Sequence, residues 1–205
     1  MAFSFQEKSL FKQGYRLIAG VDEAGRGPLA GPVAGAAVLI DKDDLPSFRG
    51  LKIKDSKQLS EKQREEIFEA IKQESGIKWK VSFVWPKTID RINILKATEL
   101  TWRRCIKKLN CSPDFLFLDG NRTLSNLNIE QQSIVKGDEK IMTVSLASII
   151  AKVSRDKLMC RLNKKYPQYG FMEHKGYGTK LHFEKLKKFG PSEIHRKSFR
   201  PICKI

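Results

Sequence analysis

The chain has 205 residues and a strongly basic charge balance, with 39 Lys and Arg against 23 Asp and Glu and a formal net charge of +16. Because 40% of its residues are hydrophobic, it has enough apolar material for one folded domain, which excludes a disordered polybasic tail. A folded basic chain favours a polyanionic partner such as a nucleic acid, although charge alone does not separate an enzyme from a binding protein. No stretch approaches the ~18 apolar residues that span a bilayer and no signal-peptide pattern is present, so we expect a cytoplasmic protein with no membrane partner.

The cysteines and histidines give no sign of a metal or redox site. The four cysteines have no CxxC spacing, and no histidine lies at a zinc-ligand interval from them, so we expect reduced thiols. The three histidines are too far apart in the sequence to predict a ligand set, and we assign none of them a catalytic role. These residues are Cys105, Cys111, Cys160, Cys203, His174, His182 and His195.

The first strand is predicted to end in two acids. Residues 1–16 are mixed polar and aromatic and predict a short helix or arm. The apolar run from residue 17 to residue 21 is typical of a buried strand, and it brings Asp22 and Glu23 to the strand end. Residues 33–40 are apolar as well and predict a second strand, close enough to pair with the first as a hairpin.

Between these strands, residues 25–32 contain three glycines and two prolines, which exclude a regular helix. Gly25 and Gly27 let backbone amides approach an anionic ligand, and the planar guanidinium of Arg26 suits phosphate. The segment formally matches the dinucleotide pattern G-x-G-x-x-G/A, but that pattern requires a following helix, which Gly31 and Pro32 prevent. Taken alone, two acids before a glycine-rich turn are about as often ordinary solvated turn residues.

A lysine precedes the next predicted helix. Ser60 and Gln63 form a capping box, and the residues after them present one apolar face. Lys57 therefore lies in the loop just before the helix, where it can face a phosphate, although a solvated lysine is the commoner outcome for any single lysine. Residues 77–84 alternate as in a strand, and residues 93–109 predict a helix with a solvated basic face and with Trp102 in the core.

Acids follow two further apolar runs. Residues 115–118 predict a short buried strand that ends at Asp119, and a strand-like run at residues 134–136 leads to Gly137 and Asp138. In α/β sheets, ligand sites assemble at such strand ends. We therefore expect Asp22, Glu23, Asp119 and Asp138 to lie close together.

The C-terminal third is predicted to be mainly helical. Residues 145–164 predict a long helix with Ser145 as N-cap and Asp156 on its buried face, where the acid must be paired, for example with an arginine, or belong to a metal site; we favour pairing. Residues 166–177 interleave aromatics with Pro and Gly, which suits a loop that presents rings to a sugar or base, with core packing as the alternative for each ring. Thr179 is the predicted N-cap of a final helix that stops at Gly190.

Four converging carboxylates would repel one another, so the pattern predicts bound cations. Carboxylate oxygens select hard ions such as Mg²⁺ or Mn²⁺. Two such ions about 4 Å apart hold a scissile phosphodiester, activate water on one side and stabilise the leaving 3′ oxygen on the other. This predicts hydrolysis of a nucleic acid to 5′-phosphate and 3′-hydroxyl ends, with Arg26 and Lys57 holding the strand.

The chain resembles bacterial ribonuclease HII, the type 2 ribonuclease H family, in seven segments that occur in the same order: GVDEAGRGPLAGPV, DSKQLS, LDGN, KGDEK, SLASIIAKVSRD, YPQYGFMEHKGYGT and GPSEIHRKSF. The resemblance implies an α/β fold, a ribonuclease H-like mixed five-stranded sheet flanked by helices. It divides the chain into an N-terminal arm (1–16), a catalytic domain (17–165) and a C-terminal helical segment that contacts substrate (166–205). Type 3 relatives carry a long N-terminal domain and lack this Gly-Arg-Gly motif, so the resemblance favours the type 2 family.

The resemblance also implies a function and its residues. It implies cleavage of the RNA strand of RNA–DNA hybrids and nicking 5′ of a single ribonucleotide in duplex DNA, as in ribonucleotide excision repair. Nothing in the sequence indicates more than a monomer. Asp22, Glu23, Asp119 and Asp138 are then the catalytic and metal-binding acids, with Mg²⁺ or Mn²⁺ as cofactor, and Asp156 is structural. Substrate contacts are implied for Gly25, Arg26 and Gly27 at the ribose 2′-hydroxyl and phosphate, Lys57 near phosphates, and Tyr177 on the deoxyribose at the RNA–DNA junction.

Two other functions fit part of this pattern. A non-catalytic RNA-binding protein explains the positive charge but not the acids at three strand ends. A DNA nuclease of ribonuclease H fold, such as a junction resolvase, shares the metal chemistry but does not need a 2′-hydroxyl.

Overall fold

The structure, a computed structural model, describes residues 3–45 and 59–204. Its sheet has the strand order β3-β2-β1-β4-β5, with β1 antiparallel to β2, β2 antiparallel to β3, and parallel pairing of β1 with β4 and of β4 with β5. This is the predicted mixed five-stranded sheet. The strands are β1 (Leu17–Ala24), β2 (Val33–Asp41), β3 (Ile77–Val84), β4 (Phe115–Asp119) and β5 (Glu130–Ile134).

Helices cover both faces of the sheet. They are α1 (Phe5–Gln13), α2 (Glu61–Gln73), α3 (Pro86–Lys108), α4 (Gly137–Lys140), α5 (Met142–Lys165), α6 (Phe171–His174) and α7 (Lys180–Phe189). One core lies between the sheet and helices α2 and α5, and it includes Val38, Ile71 and Ile150. A second core lies under α3, where Trp102 is buried as predicted. Because β1 and β2 are covered on both sides, residues 17–21 and 33–40 are continuous apolar runs, which is why the sequence predicted these strands well.

Helix α3 begins at Pro86, earlier than the predicted start at residue 93. Asn93 has φ 65° and ψ 168°, so it separates two helical segments. Its side-chain oxygen accepts hydrogen bonds from the amides of Leu95 and Lys96, at 3.0 and 3.1 Å, and so caps the second segment. The predicted helix is this second segment, and the first was missed because Pro86 was taken only as the end of a strand.

Helix α5 begins at Met142, so the prediction of Ser145 as its N-cap was wrong. The cap position is Ile141, whose side chain cannot accept a hydrogen bond. Instead Glu7, which is fully buried on α1, accepts from the amides of Met142 and Thr143 at 3.1 and 2.9 Å. The N-terminal arm therefore supplies the cap of the longest helix from a distant part of the sequence, where local pattern gives no signal.

Close contact fixes α5 against β1. A Cβ atom at Gly20 would lie 2.5 Å from the backbone of Thr143, so only glycine allows the helix to approach this strand so nearly. The same helix then runs along the end of β1 and brings Ser148, Lys152 and Arg155 toward the strand end. The position of α5 thus determines what surrounds Asp22.

The C-terminal elements pack against the segment that follows β1. Phe171, Met159 and Leu186 form a small core with Leu29 and Ala30. The predicted caps of the last helix are confirmed, because Thr179 accepts from the amide of residue 182 at 3.3 Å and Gly190 ends α7. By contrast, β5 ends at Ile134, before the predicted strand-like run is complete. The predicted boundaries of arm, catalytic domain and C-terminal segment stay predictions.

Within residues 3–45 and 59–204, no helix combines the length and apolar character that a membrane span requires. The cysteines are free, as predicted. The segment containing Lys57 lies outside the described residues.

Candidate active site

Asp22, Glu23 and Asp119 adjoin at one edge of the sheet, and Asp138 lies on the short helix α4. Val21 is level with Leu118 in the parallel β1–β4 pair, so Asp22 and Asp119 lie side by side where both strands end. The amide of Gly137 donates to Asp119 Oδ1 at 2.7 Å, which brings α4, and with it Asp138, to the same edge. We call Asp22, Glu23, Asp119 and Asp138 the acid cluster.

The charges of the acid cluster oppose one another. Asp22 is only 5% exposed, and its burial together with the carboxylates of Glu23 and Asp119 raises its pKa well above the ordinary value. Burial also raises the pKa of Glu23, although Arg26, whose Nη1 lies 3.2 Å from Glu23 Oε1, offsets part of this effect. Ser148 hydrogen-bonds the Asp22 carboxylate and stabilises its charged form.

One oxygen of the acid cluster is left for a cation. Glu23 Oε2 is buried and has no hydrogen-bond partner. A buried, unpartnered carboxylate oxygen is costly unless a cation compensates it, so the donor set fits a hard divalent ion. Within the described parts of the chain, no three side chains of His, Cys, Asp or Glu enclose a metal by themselves.

Beside the acids, the Gly-Arg-Gly turn (Gly25–Gly27) has two glycines with different roles. Gly25 has φ +89°, and a Cβ there would lie 1.9 Å from Nε of Arg155, so the backbone requires glycine. At Gly27 the nearest atom to a Cβ would be Tyr177 Cε1, at 3.8 Å. Gly27 therefore leaves space between the turn and the tyrosine ring, while the Arg26 side chain is half-exposed.

A cleft of about 350 Å³ joins these features. It is lined by Glu23, Ala24, Gly25, Arg64, Ser148, Lys152 and Tyr177. The cleft thus brings together Glu23 from the acid cluster, Gly25 from the Gly-Arg-Gly turn, and Tyr177, which is 43% exposed. Lys57 is the one predicted site residue whose position is not described.

The sequence interpretation missed three cleft residues: Arg64, Ser148 and Lys152. A signal for two of them was available, because Ser148 and Lys152 are four residues apart and share one face of α5. Lys152 also pairs with Asp156 at 2.8 Å. The predicted pairing of Asp156 is therefore confirmed, but its partner is a lysine instead of an arginine.

Three histidines that the sequence left without a role form a buried network behind Tyr177. The amide of Ser192 donates to His195 Nδ1 at 2.9 Å, so His195 carries its proton on Nε2 and donates it to His182 Nε2 at 3.0 Å. His182 therefore carries its proton on Nδ1 and donates to the carbonyl oxygen of Tyr177 at 2.9 Å. The amide of Ser192 thus determines the tautomer of His195, which determines that of His182, and the last hydrogen bond is accepted by Tyr177.

His174 completes this histidine network (His174, His182 and His195). It accepts from the Gly176 amide at 3.1 Å and donates to the carbonyl oxygen of Tyr169 at 2.9 Å, and its ring stacks on His182 with centroids 4.4 Å apart. Burial lowers the pKa of His182 and of His195 to about 4, so both are neutral at pH 7. Sequence spacing could not reveal the network, because its bonds connect different helices and turns.

Comparison with known proteins gives consistent matches. A family model described as Ribonuclease HII matches residues 19–202. The ribonuclease HII of Endomicrobium trichonymphae is 49% identical over 203 residues, which cover 99% of this chain and 94% of that protein. The crystal structure of ribonuclease H2 from Pyrococcus horikoshii OT3 is similar with a TM-score of 0.73 and 29% identity, covering 92% of this chain and 96% of that one. Bst-RNase HIII in complex with Mn²⁺ shares the fold, with a TM-score of 0.73, 19% identity and coverage of 97% and 71%.

Proposed function

Because the chain belongs to the ribonuclease HII family and is a type 2 ribonuclease H, we propose that it nicks duplex DNA on the 5′ side of a single embedded ribonucleotide as well as cutting the RNA strand of RNA–DNA hybrids. The products are a 5′-phosphate and a 3′-hydroxyl. The observation that carries this proposal is the cleft lined by Glu23 of the acid cluster, Gly25 of the Gly-Arg-Gly turn and Tyr177.

The acid cluster is assigned to binding divalent ions. When bound, Mg²⁺ or Mn²⁺ supplies activation of a water molecule and neutralisation of phosphate charge. The chain prepares the site, since Glu23 offers an unpartnered oxygen, Ser148 orients Asp22, and the amide of Gly137 orients Asp119. The Mn²⁺ in the Bst-RNase HIII structure supports a divalent cofactor.

The neighbouring elements are assigned to the substrate strand. The amides of Arg26 and Gly27 donate to no residue in the described part of the chain, so they are available to a ribose 2′-hydroxyl and its phosphate. Tyr177 presents an exposed ring on the other side of the gap, where a deoxyribose can pack and an added hydroxyl is disfavoured. Lys152 and Arg64 line the same cleft as cations for the backbone phosphates, and Lys57 is assigned to phosphates by the resemblance alone.

The test is cleavage of a DNA duplex that carries one ribonucleotide, beside the same duplex without it, in Mg²⁺ and in EDTA. We expect a Mg²⁺-dependent nick only in the first duplex, on the 5′ side of the ribonucleotide. Equal cutting of both duplexes would favour a DNA nuclease of the same fold, and cutting of neither in Mg²⁺ or Mn²⁺ would contradict the proposal.

A matched pair of variants controls for contaminating nuclease. Asp119→Asn removes an acid at the carboxyl end of β4 and should abolish the nick. Asp114→Asn makes the same chemical change at the opposite end of β4, where the side chain accepts hydrogen bonds from the amides of Arg16 and Leu17. Asp114→Asn should keep the activity, so loss in both variants would point to damaged folding instead of a lost catalytic group.

A further inference from the structure

Two arginines are buried beneath the site without a carboxylate partner. Arg155 and Arg196 are 1% and 0% exposed, and neither forms an ion pair with any residue in the described ranges. Burial lowers their pKa to about 10 and about 9, which leaves both charged at neutral pH. Buried charges in proteins are usually paired with an opposite charge, so two unpaired ones next to an active site call for an explanation.

Their guanidinium groups bind backbone carbonyls of the segment that contains the Gly-Arg-Gly turn. Arg196 donates to the carbonyl oxygens of Gly25, Arg26 and Gly31 at 2.6, 2.7 and 3.0 Å. Arg155 donates to those of Pro32 and Ala30 at 3.0 and 3.2 Å. Five carbonyl groups of this segment therefore point inward to the two guanidinium groups. The amides of Arg26 and Gly27 are directed away from those groups, because the N–H of a trans peptide points opposite to its C=O.

Arg155 also holds the other side of the cleft. Its Nη1 donates to the carbonyl oxygen of Lys175 at 3.0 Å, and its guanidinium carbon lies 6.0 Å from the centroid of the Tyr177 ring. One side chain thus contacts both the Gly25–Pro32 segment and the Tyr177 loop. The separation between the turn and the ring depends on it.

The two charges also affect the site at a distance. Asp156 and Asp90 act on Arg155 and Arg196 only at a distance, and neither forms an ion pair with its arginine. The positive field of the two arginines therefore extends to the turn, and burial protects it from screening by salt. An anion beside the amides of Arg26 and Gly27 is the natural counter-charge. On this substrate that anion is a backbone phosphate.

We propose that Arg155 and Arg196 are positioning residues that hold the Gly-Arg-Gly turn and Tyr177 at the spacing that reads a ribonucleotide, and that their buried charges attract the adjacent phosphate. This inference rests on the proposed function, because it explains how the same cleft distinguishes ribose from deoxyribose. Neither arginine needs to touch the substrate.

The test compares binding of the ribonucleotide-containing duplex with binding of the all-DNA duplex, in EDTA so that nothing is cut. Arg196→Lys and Arg155→Lys keep the charge but lose the planar fork, so we expect the preference for the ribonucleotide to fall roughly tenfold while affinity for all-DNA duplex is kept. Arg196→Gln also removes the charge, so its affinity for both duplexes should fall and depend less steeply on salt.

Arg16 provides the control, because it is an exposed arginine at the opposite end of β1. Arg16→Lys and Arg16→Gln should keep the wild-type preference and leave the affinity for both duplexes within about twofold of wild type. Thermal unfolding identifies any variant that does not fold. If Arg196→Gln is unfolded, the two lysine variants decide.

The outcomes separate the inference from the proposed function. The inference is wrong if wild type prefers the ribonucleotide-containing duplex and both folded lysine variants keep that preference within about twofold. It is also wrong if a folded Arg196→Gln protein has the same affinity for both duplexes as Arg16→Gln. If wild type itself shows no preference and cuts neither duplex, the proposed function fails before any variant is compared.

Discussion

The acid cluster and the histidine network follow opposite rules, although both adjoin the same cleft, one through Glu23 and the other through the carbonyl oxygen of Tyr177. In the acid cluster, like charges adjoin, the pKa of Asp22 is raised and Glu23 Oε2 has no partner. In the histidine network, each ring nitrogen is bonded and the tautomers of all three rings are determined. The difference indicates that instability is confined to the groups proposed to bind the cation, while the groups proposed to position the substrate are held firmly.

The largest expected effect comes from Asp22→Asn. We expect cleavage to fall on the order of 1000-fold or more, because one of the proposed catalytic acids is lost. We also expect the metal-free protein to become more stable, because the substitution removes a buried carboxylate that its neighbours repel. Cleavage rates and thermal unfolding in EDTA measure the two effects.

Asp114→Asn should behave in the reverse way, losing stability and keeping activity, because its carboxylate accepts two backbone hydrogen bonds. If the metal-free Asp22→Asn protein melts at a lower temperature than wild type, repulsion between the carboxylates of the acid cluster does not destabilise the fold.

The histidine network should make the fold sensitive to acid. The folded-state pKa of His182 and of His195 is about 4, below the ~6.5 of an exposed histidine, so the unfolded chain binds these protons first. The stability that they confer is fully present above about pH 6.5 and is lost as pH falls toward 4, by up to roughly 3 kcal/mol for each histidine. Denaturant unfolding at pH 7, 6 and 5 measures this loss.

His182→Asn sharpens the pH prediction. An asparagine amide can still donate to the carbonyl oxygen of Tyr177, but it does not titrate. We therefore expect a shallower fall in stability between pH 6.5 and 4 than in wild type. An unchanged slope would mean that other groups cause the acid sensitivity.

Two glycine substitutions probe the boundary between the regions, and the second of them has the smallest expected effect on stability. Gly25→Ala should lower the free energy of unfolding by about 2 to 4 kcal/mol, because the backbone at residue 25 has a positive φ and the new Cβ would collide with Arg155. Gly27→Ala should change stability by no more than about 0.5 kcal/mol, since its Cβ only reaches van der Waals distance of Tyr177. It should nevertheless weaken binding of the ribonucleotide duplex, because the methyl group enters the proposed substrate gap. If the two variants are equally stable, the backbone at position 25 does not require glycine.

The sequence predicted those features whose causes are local. Apolar runs followed by acids located β1 and β4, and Ser60 and Thr179 cap α2 and α7 through groups three residues away. Acids at strand ends predicted that Asp22 and Asp119 lie side by side, because parallel strands bring their carboxyl ends together. Asp138 lies on α4 instead of at a strand end.

Features that depend on distant partners were missed. Glu7 caps α5 from more than 130 residues away, the histidine rings meet only after α6 and α7 fold, and Arg196 bonds a segment about 170 residues earlier in the chain. Asp156 was placed correctly on the buried face of its helix, but its partner was not identified, because Arg155 turns toward the carbonyls of another segment while Lys152 lies on the same side as the acid.

Helix α5 also sets distances, because it meets Gly20 through Thr143, Asp22 through Ser148, and Pro32 through Arg155. Each residue of an α-helix turns the next by about 100°. One residue inserted between Ser148 and Arg155 would leave the first two contacts intact and swing Arg155 a quarter-turn or more away from the loops. We therefore expect evolution to accept changes of length elsewhere in this fold, but to preserve the number of residues in this stretch even where their identities change.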